Sequence, residues 1–80
     1  MWKEEDDKLK ASFEFDDFKS AFAFMTRVAF EAEAIPHHPE WTNVYNTVDI
    51  ALTTHDAGNK ITDKDRQLAD TISSVYEDFS

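Results

Sequence analysis

The hydrophobic positions change period along the chain. Leu9, Ala11, Phe13 and Phe15 alternate with Lys8, Lys10, Ser12 and Glu14, the period of two of a strand with one wet face. From Asp16 or Asp17, either of which suits an N-cap, the apolar positions become Phe18, Phe22, Met25, Ala29 and Ala32. Their spacing by three and four predicts a helix that ends near Ile35, with Met25 and the helix's phenylalanines on its core face. Pro36 disfavours helical geometry in the residue before it and Pro39 follows closely, so His37 and His38 fall in a constrained loop.

Val48, Ile50 and Leu52 then alternate with Thr47, Asp49, Ala51 and Thr53, which predicts a second strand, and Trp41 to Tyr45 form a candidate strand before Asn46. HDAGN makes a turn in which Gly58, the only glycine, is best able to take positive φ. Thr62 and Asp65 have capping-box spacing, and Ile61, Leu68, Ile72, Val75 and Phe79 give a second amphipathic stripe. Ahead of the first strand, Trp2 to Glu5 are either a short partner strand turned by Asp6 and Asp7 or a solvated acidic loop. The order is therefore β(β)αββα. An antiparallel sheet with both helices packed on one face buries both stripes, so the fold class is α+β. There is no internal repeat, low-complexity tract or linker, and residues 1–80 read as a single domain.

Charge and composition narrow the function. Seventeen acidic against eight basic residues give a formal net charge of −9, which opposes direct binding to nucleic acid or to anionic lipid. The absence of cysteine excludes disulfides, a thiolate nucleophile and Cys-based metal sites. No apolar run approaches the length of a membrane span, and MWKEEDDK lacks a signal-peptide core, so the reading is a soluble cytoplasmic protein. A chain of 80 residues covers its apolar surface incompletely, which favours self-association.

The candidate chemistry rests on histidine. His37 and His38 follow the first predicted helix and His55 follows the second clear strand. Imidazole both donates and accepts protons near neutral pH, so two rings across a pocket can serve as acid and base, whereas three histidines in surface loops are the plain alternative. A three-histidine metal site is a further alternative, disfavoured because adjacent residues in a Pro-bracketed loop point apart and no HExxH pair is present. Trp41 and Tyr45 either flank a flat heterocycle or, as the preferred reading, pack in the core or an interface. Thr53, Thr54 and Asp56 either bind a polar ligand edge or simply form the turn.

PHHPEW followed by NVYNTVDIALTTHDAG resembles the signature of the pterin-4a-carbinolamine dehydratases, also known as dimerisation cofactors of a homeodomain transcription factor. FDDFKSAFAFMTRVAFEAE and ITDKDRQLADTI are similar to that family's first core helix and final helix, so nearly the whole chain from Trp2 is covered. The resemblance implies dehydration of a 4a-hydroxytetrahydropterin to a quinonoid dihydropterin by histidine acid-base catalysis, in tetrahydrobiopterin recycling, with neither metal nor cofactor. It implies a homodimer or homotetramer. It places the pterin between His37, His38 and Pro39 on one side and Thr53, Thr54, His55 and Asp56 on the other. On the same ground proton transfer falls chiefly to His37 and His55, and substrate orientation to His38. Glu33 matches the family's acidic residue four positions before the first histidine. Asp65 is similar to the aspartate that opens the final helix, although AGNKITDKD carries one residue more than the family's commonest turn, and helix capping alone also accounts for it. The family's usual N-terminal helix before the tryptophan is missing. An oligomerising adaptor with little catalysis, similar to relatives that bind a transcription factor, is the alternative function. A metal-dependent hydrolase is a third reading, supported only by the number of histidines.

Overall fold

The computed structural model describes residues 1–79. It contains β1 (Lys3–Glu5), β2 (Lys8–Glu14), α1 (Phe18–Ala34), β3 (Glu40–Val44), β4 (Thr47–Leu52), a single 3-10 turn (His55–Ala57) and α2 (Asp63–Glu77). The strands form one antiparallel sheet in the order β1-β2-β4-β3. The α+β class and the β-β-α-β-β-α order predicted from the pattern are both present, and the acidic N-terminal stretch is a strand rather than a loop. Asp6 and Asp7 make this hairpin possible by taking φ of 56° and 60°, the left-handed geometry of a two-residue turn whose twist matches its strands.

Register explains the core. Leu9 pairs with Leu52, Ala11 with Ile50 and Phe13 with Val48, so the apolar sets of the two central strands share one face of the sheet. All six residues are buried. Helices α1 and α2 cover that face, adding Ala21, Phe24, Val28 and Ala32 from one and Leu68, Ala69, Ile72 and Val75 from the other. Phe24 lies among the rings of Phe13, Phe15, Tyr76 and Phe79, with centroids 5.0–6.0 Å apart. Trp2 packs edge-on against Phe13 and donates from Nε1 to Ser73 Oγ at 2.9 Å, which ties the chain start to α2.

Two expectations are corrected. The buried stripe of α1 is Ala21, Phe24, Val28 and Ala32, while Phe18, Phe22 and Phe30 are 49%, 55% and 75% exposed. Both stripes satisfy the three-and-four spacing, and they differ by about one residue of helical rotation, near 100°. Tyr45, expected in the core or an interface, occupies the β3–β4 turn at φ 51° and lies outside the core, whereas Trp41 does pack against it.

The helix starts position the site. The Asp17 carboxylate caps α1 by accepting from the Ser20 amide at 2.7 Å, a bond that holds the Asp17 carboxyl below the usual carboxylate range. At the other end α1 stops at Ile35, and the His37 amide still donates to Ala32 O at 2.9 Å, so the His-His loop is anchored to the last helical turn. Thr62 and Asp65 form a complete capping box at the start of α2. Among the described residues no helix is long and apolar enough to cross a membrane.

Candidate functional site

Three segments meet at one end of the sheet around a cavity of about 350 Å³. The loop after α1 contributes Pro36, His37, His38 and Pro39, the end of β4 and its turn contribute Thr53, Thr54, His55 and Asp56, and the first turn of α2 contributes Lys64. The seven sequence-predicted residues His37, His38, Pro39, Thr53, Thr54, His55 and Asp56 are thus gathered at one cavity. Glu33 and Asp65 stand behind it and reach it through imidazoles.

Each imidazole has its own partner. His37 Nε2 lies 2.5 Å from Asp65 Oδ1, His38 Nε2 lies 2.8 Å from Glu33 Oε1, and His55 Nδ1 lies 2.7 Å from Asn59 Oδ1. A carboxylate accepts only, so the Nε2 atoms of His37 and His38 are donors while those acids are ionised. The two pairs differ in setting. Glu33 and His38 are mostly exposed, whereas the Asp65 side chain is fully buried and that of His37 is 11% exposed.

Asp65 organises the interior of the site. Its Oδ2 accepts from Thr54 Oγ1 at 2.7 Å and from the Thr62 amide at 2.8 Å, while Oδ1 faces His37. Burial pushes the Asp65 carboxyl up, but the hydrogen bonds from His37, Thr54 and Thr62 together outweigh it and hold the group below the usual carboxylate range. The Asp65 carboxylate therefore stays charged where it meets His37 Nε2. A residue whose capping role accounts for its sequence position also binds an imidazole 28 positions away.

The threonines divide their work. Thr53 Oγ1 donates to Asp7 O at 3.1 Å, which fastens the end of β4 to the β1–β2 turn and leaves that hydroxyl committed. Thr54 Oγ1 also meets Thr62 Oγ1 at 2.7 Å, so its hydroxyl belongs to the Asp65 network. The remaining polar groups at the cavity wall are His38, His55, Asp56 and Lys64, together with Glu40, whose carboxylate is paired with Lys8 at 3.0 Å and held below the usual range by that bond. Trp41 and Tyr45 take no part in the wall. The sequence reading missed Lys64 and Asn59. Lys64 is signalled only by its place next to Asp65 in the capping box; Asn59 is signalled by its place beside Gly58 in a turn that returns toward His55.

No group of three or more His, Cys, Asp or Glu side chains among the described residues is arranged to hold a metal ion. The imidazoles are instead directed to separate partners, a geometry suited to moving protons at different points of one bound molecule.

Residues 1–75 match the profile of a family described as pterin 4 alpha carbinolamine dehydratase. A protein of Synechococcus sp. (strain WH7803), provisionally named a pterin-4-alpha-carbinolamine dehydratase, is 55% identical over 74 residues, 92% of this chain and 78% of the relative. One from Opitutus terrae with the same provisional name is 54% identical over 68 residues, 85% and 70% of the two chains. Among solved structures, a transcriptional coactivator/pterin dehydratase from Brucella melitensis superposes with TM-score 0.88 at 40% identity, over 94% of this chain and 81% of that one. A pterin dehydratase-like RuBisCO assembly factor of the alpha-carboxysome shares the fold, with TM-score 0.77 at 18% identity, over 95% and 87%. The profile match over most of the chain and the identity to these relatives show that the chain belongs to the pterin-4a-carbinolamine dehydratase family.

Proposed function

We propose that the chain is a single-domain, cytoplasmic 4a-hydroxytetrahydrobiopterin dehydratase that acts in tetrahydrobiopterin recycling by histidine acid-base catalysis. The observation that carries this reading is the meeting of His37, His38 and His55 at one cavity, each with a different hydrogen-bond partner. The substrate bears a hydroxyl on C4a beside N5. One proton leaves N5, another joins the hydroxyl, and the C4a–O bond breaks to release water and the quinonoid dihydropterin. The nitrogen lone pair helps expel the hydroxyl, so the step needs positioned acids and bases rather than a bound cofactor.

Proton transfer falls to His37 and His55. His38, with Glu33 behind it, orients the pterin; Pro39 shapes the loop, and Asp56 offers an acceptor to the heterocycle's N–H groups. Asp65 holds His37 in place, and Lys64 adds a cation at the cavity wall.

Turnover of freshly generated 4a-hydroxytetrahydropterin by exhaustively chelated protein is the test. The expected result is retained dehydration, with His37→Ala and His55→Ala each lowering turnover by about 10²–10⁴-fold. Activity that vanishes on chelation and returns with zinc, or folded histidine variants with full turnover, would overturn the mechanism.

A second reading, an oligomerising adaptor, is favoured by one observation. Phe18, Phe22 and Phe30 leave an exposed aromatic surface along α1. The proposed homodimer or homotetramer uses this surface, and catalysis and association are compatible because the phenylalanines lie outside the cavity wall.

A further inference from the structure

The third imidazole is held unlike the other two. His37 and His38 meet carboxylates, whereas His55 Nδ1 meets the uncharged amide oxygen of Asn59 at 2.7 Å. We propose that Asn59 is a positioning residue that fixes the tautomer of His55, holding the proton on Nδ1 and presenting Nε2 to the cavity as the lone-pair nitrogen that takes the substrate's N5 proton. The kinetic half of this proposal rests on the dehydratase reading above; the tautomer half does not.

The chemistry follows from the atoms that meet. An amide oxygen only accepts, so the bond requires a hydrogen on Nδ1. A neutral ring with Nδ1 protonated carries its lone pair on Nε2, and the bond made by one ring nitrogen sets the state of the other. Asn59 is not part of the cavity wall while His55 is, so the amide acts through the imidazole. The carboxylate near this ring from β3 is Glu40, already tied to Lys8 at 3.0 Å, and the other charged groups at the wall are Asp56 and Lys64.

The turn is built to deliver that amide. Thr54 O accepts from the amides of Ala57 and Asn59 at 3.2 and 3.1 Å, and the Thr54 amide donates to Lys60 O at 3.0 Å. Gly58 at φ 77° and Asn59 at φ 59° are consecutive left-handed residues, and they fold the chain back so that side chain 59 returns over His55. Left-handed backbone alone would be met by glycine at least as well as by asparagine. What asparagine adds at this position is the amide oxygen.

Asn59→Gly therefore keeps the backbone geometry and removes the acceptor, and Asn59→Asp keeps both geometry and an oxygen. Nitrogen-15 shifts of the His55 ring, read at alkaline pH where imidazoles are neutral, report the tautomer directly. The expected wild-type ring is protonated on Nδ1. In Asn59→Gly the tautomer ratio should shift by about ten-fold, the equivalent of one net hydrogen bond. Turnover should fall by about ten-fold with KM little changed, on the scale seen when a group that orients a functional histidine is lost. Asn59→Asp should restore both. A wild-type ring protonated on Nε2 would overturn the proposal, as would Asn59→Gly with unchanged tautomer and turnover. A fall in turnover without a tautomer change, not rescued by Asn59→Asp, would assign the effect to the turn and also overturn it. Wild-type protein that dehydrates no pterin would sink the dehydratase reading and the kinetic role with it, and the ring shifts would still decide what Asn59 does to His55.

Discussion

Replacing Asp65 by asparagine separates folding from chemistry at the centre of the site. The carboxylate accepts from His37 at 2.5 Å through one oxygen, and from Thr54 at 2.7 Å and the Thr62 amide at 2.8 Å through the other. Asparagine offers one accepting oxygen and one donating nitrogen. With the oxygen toward Thr54 and Thr62, the nitrogen faces His37 Nε2 and turns that atom from donor to acceptor. The opposite orientation sets the amide nitrogen against two donors and costs more. The first arrangement exchanges a charge-assisted hydrogen bond for a neutral one, a loss of about 1–2 kcal/mol in folding stability. Asp65→Ala should cost about 3–5 kcal/mol, because it removes the cap and strands buried donors.

Turnover of Asp65→Asn should fall by about 10²–10⁴-fold, since His37 then presents its ring in the other tautomer. The pH dependence has a definite sign. The folded carboxyl is held below its unfolded value, so its stabilisation is fully present above about pH 4 and is lost as pH falls through the lower folded value. Urea unfolding of wild type and Asp65→Asn at pH 7 and at decreasing pH, with dehydration assays at neutral pH, checks both halves. The stability gap should be open at pH 7 and close in acid. An unchanged urea midpoint together with unchanged turnover, or a gap that persists unaltered into strong acid, would refute the reasoning.

Two further outcomes test the frame around the site. Phe24→Ala should destabilise the fold by about 3–5 kcal/mol in chemical unfolding, because the ring is fully buried among four other aromatic rings; a change within about 0.5 kcal/mol, the range of an ordinary surface substitution, would contradict the packing. Phe22→Glu or Phe30→Glu should lower the molar mass in light scattering without unfolding the chain, and a wild type that is monomeric at every concentration would remove the association.

The sequence made the sheet legible because a period of two leaves little freedom. Once Leu9, Ala11 and Phe13 point one way, pairing with Val48, Ile50 and Leu52 is the arrangement that buries both sets together, and the register follows. The gathering of the histidines was legible through resemblance rather than through spacing, since His37 and His55 lie in different loops and meet only when β4 is placed inside the sheet. The partners of those histidines were less accessible. Glu33 lies only five positions before its histidine and could be paired with it, but Asp65 joins His37 across 28 positions, and the capping box by itself already accounts for an acid at that point. A side chain with two roles shows only the local one in the sequence.

The first helix shows why the outer surface was harder to read. Its apolar residues form two stripes, and periodicity alone could not choose between them. The sheet chooses. Ala21 and Ala32 allow close approach at either end, while Phe24 and Val28 fill the space between them, so this stripe packs inward. Phe18 and Phe22, with ring centroids 5.8 Å apart, are then carried to the outside together with Phe30. A helix that met only this sheet would need one apolar stripe, and the charged surface of the rest of the chain would be expected to continue over the other. The exposed stripe instead gives α1 a second apolar face turned away from its own core. A copy of the same helix packed there would bury aromatic area on both subunits without touching the cavity, which is why the Phe22 and Phe30 substitutions should alter assembly while leaving the histidine network intact.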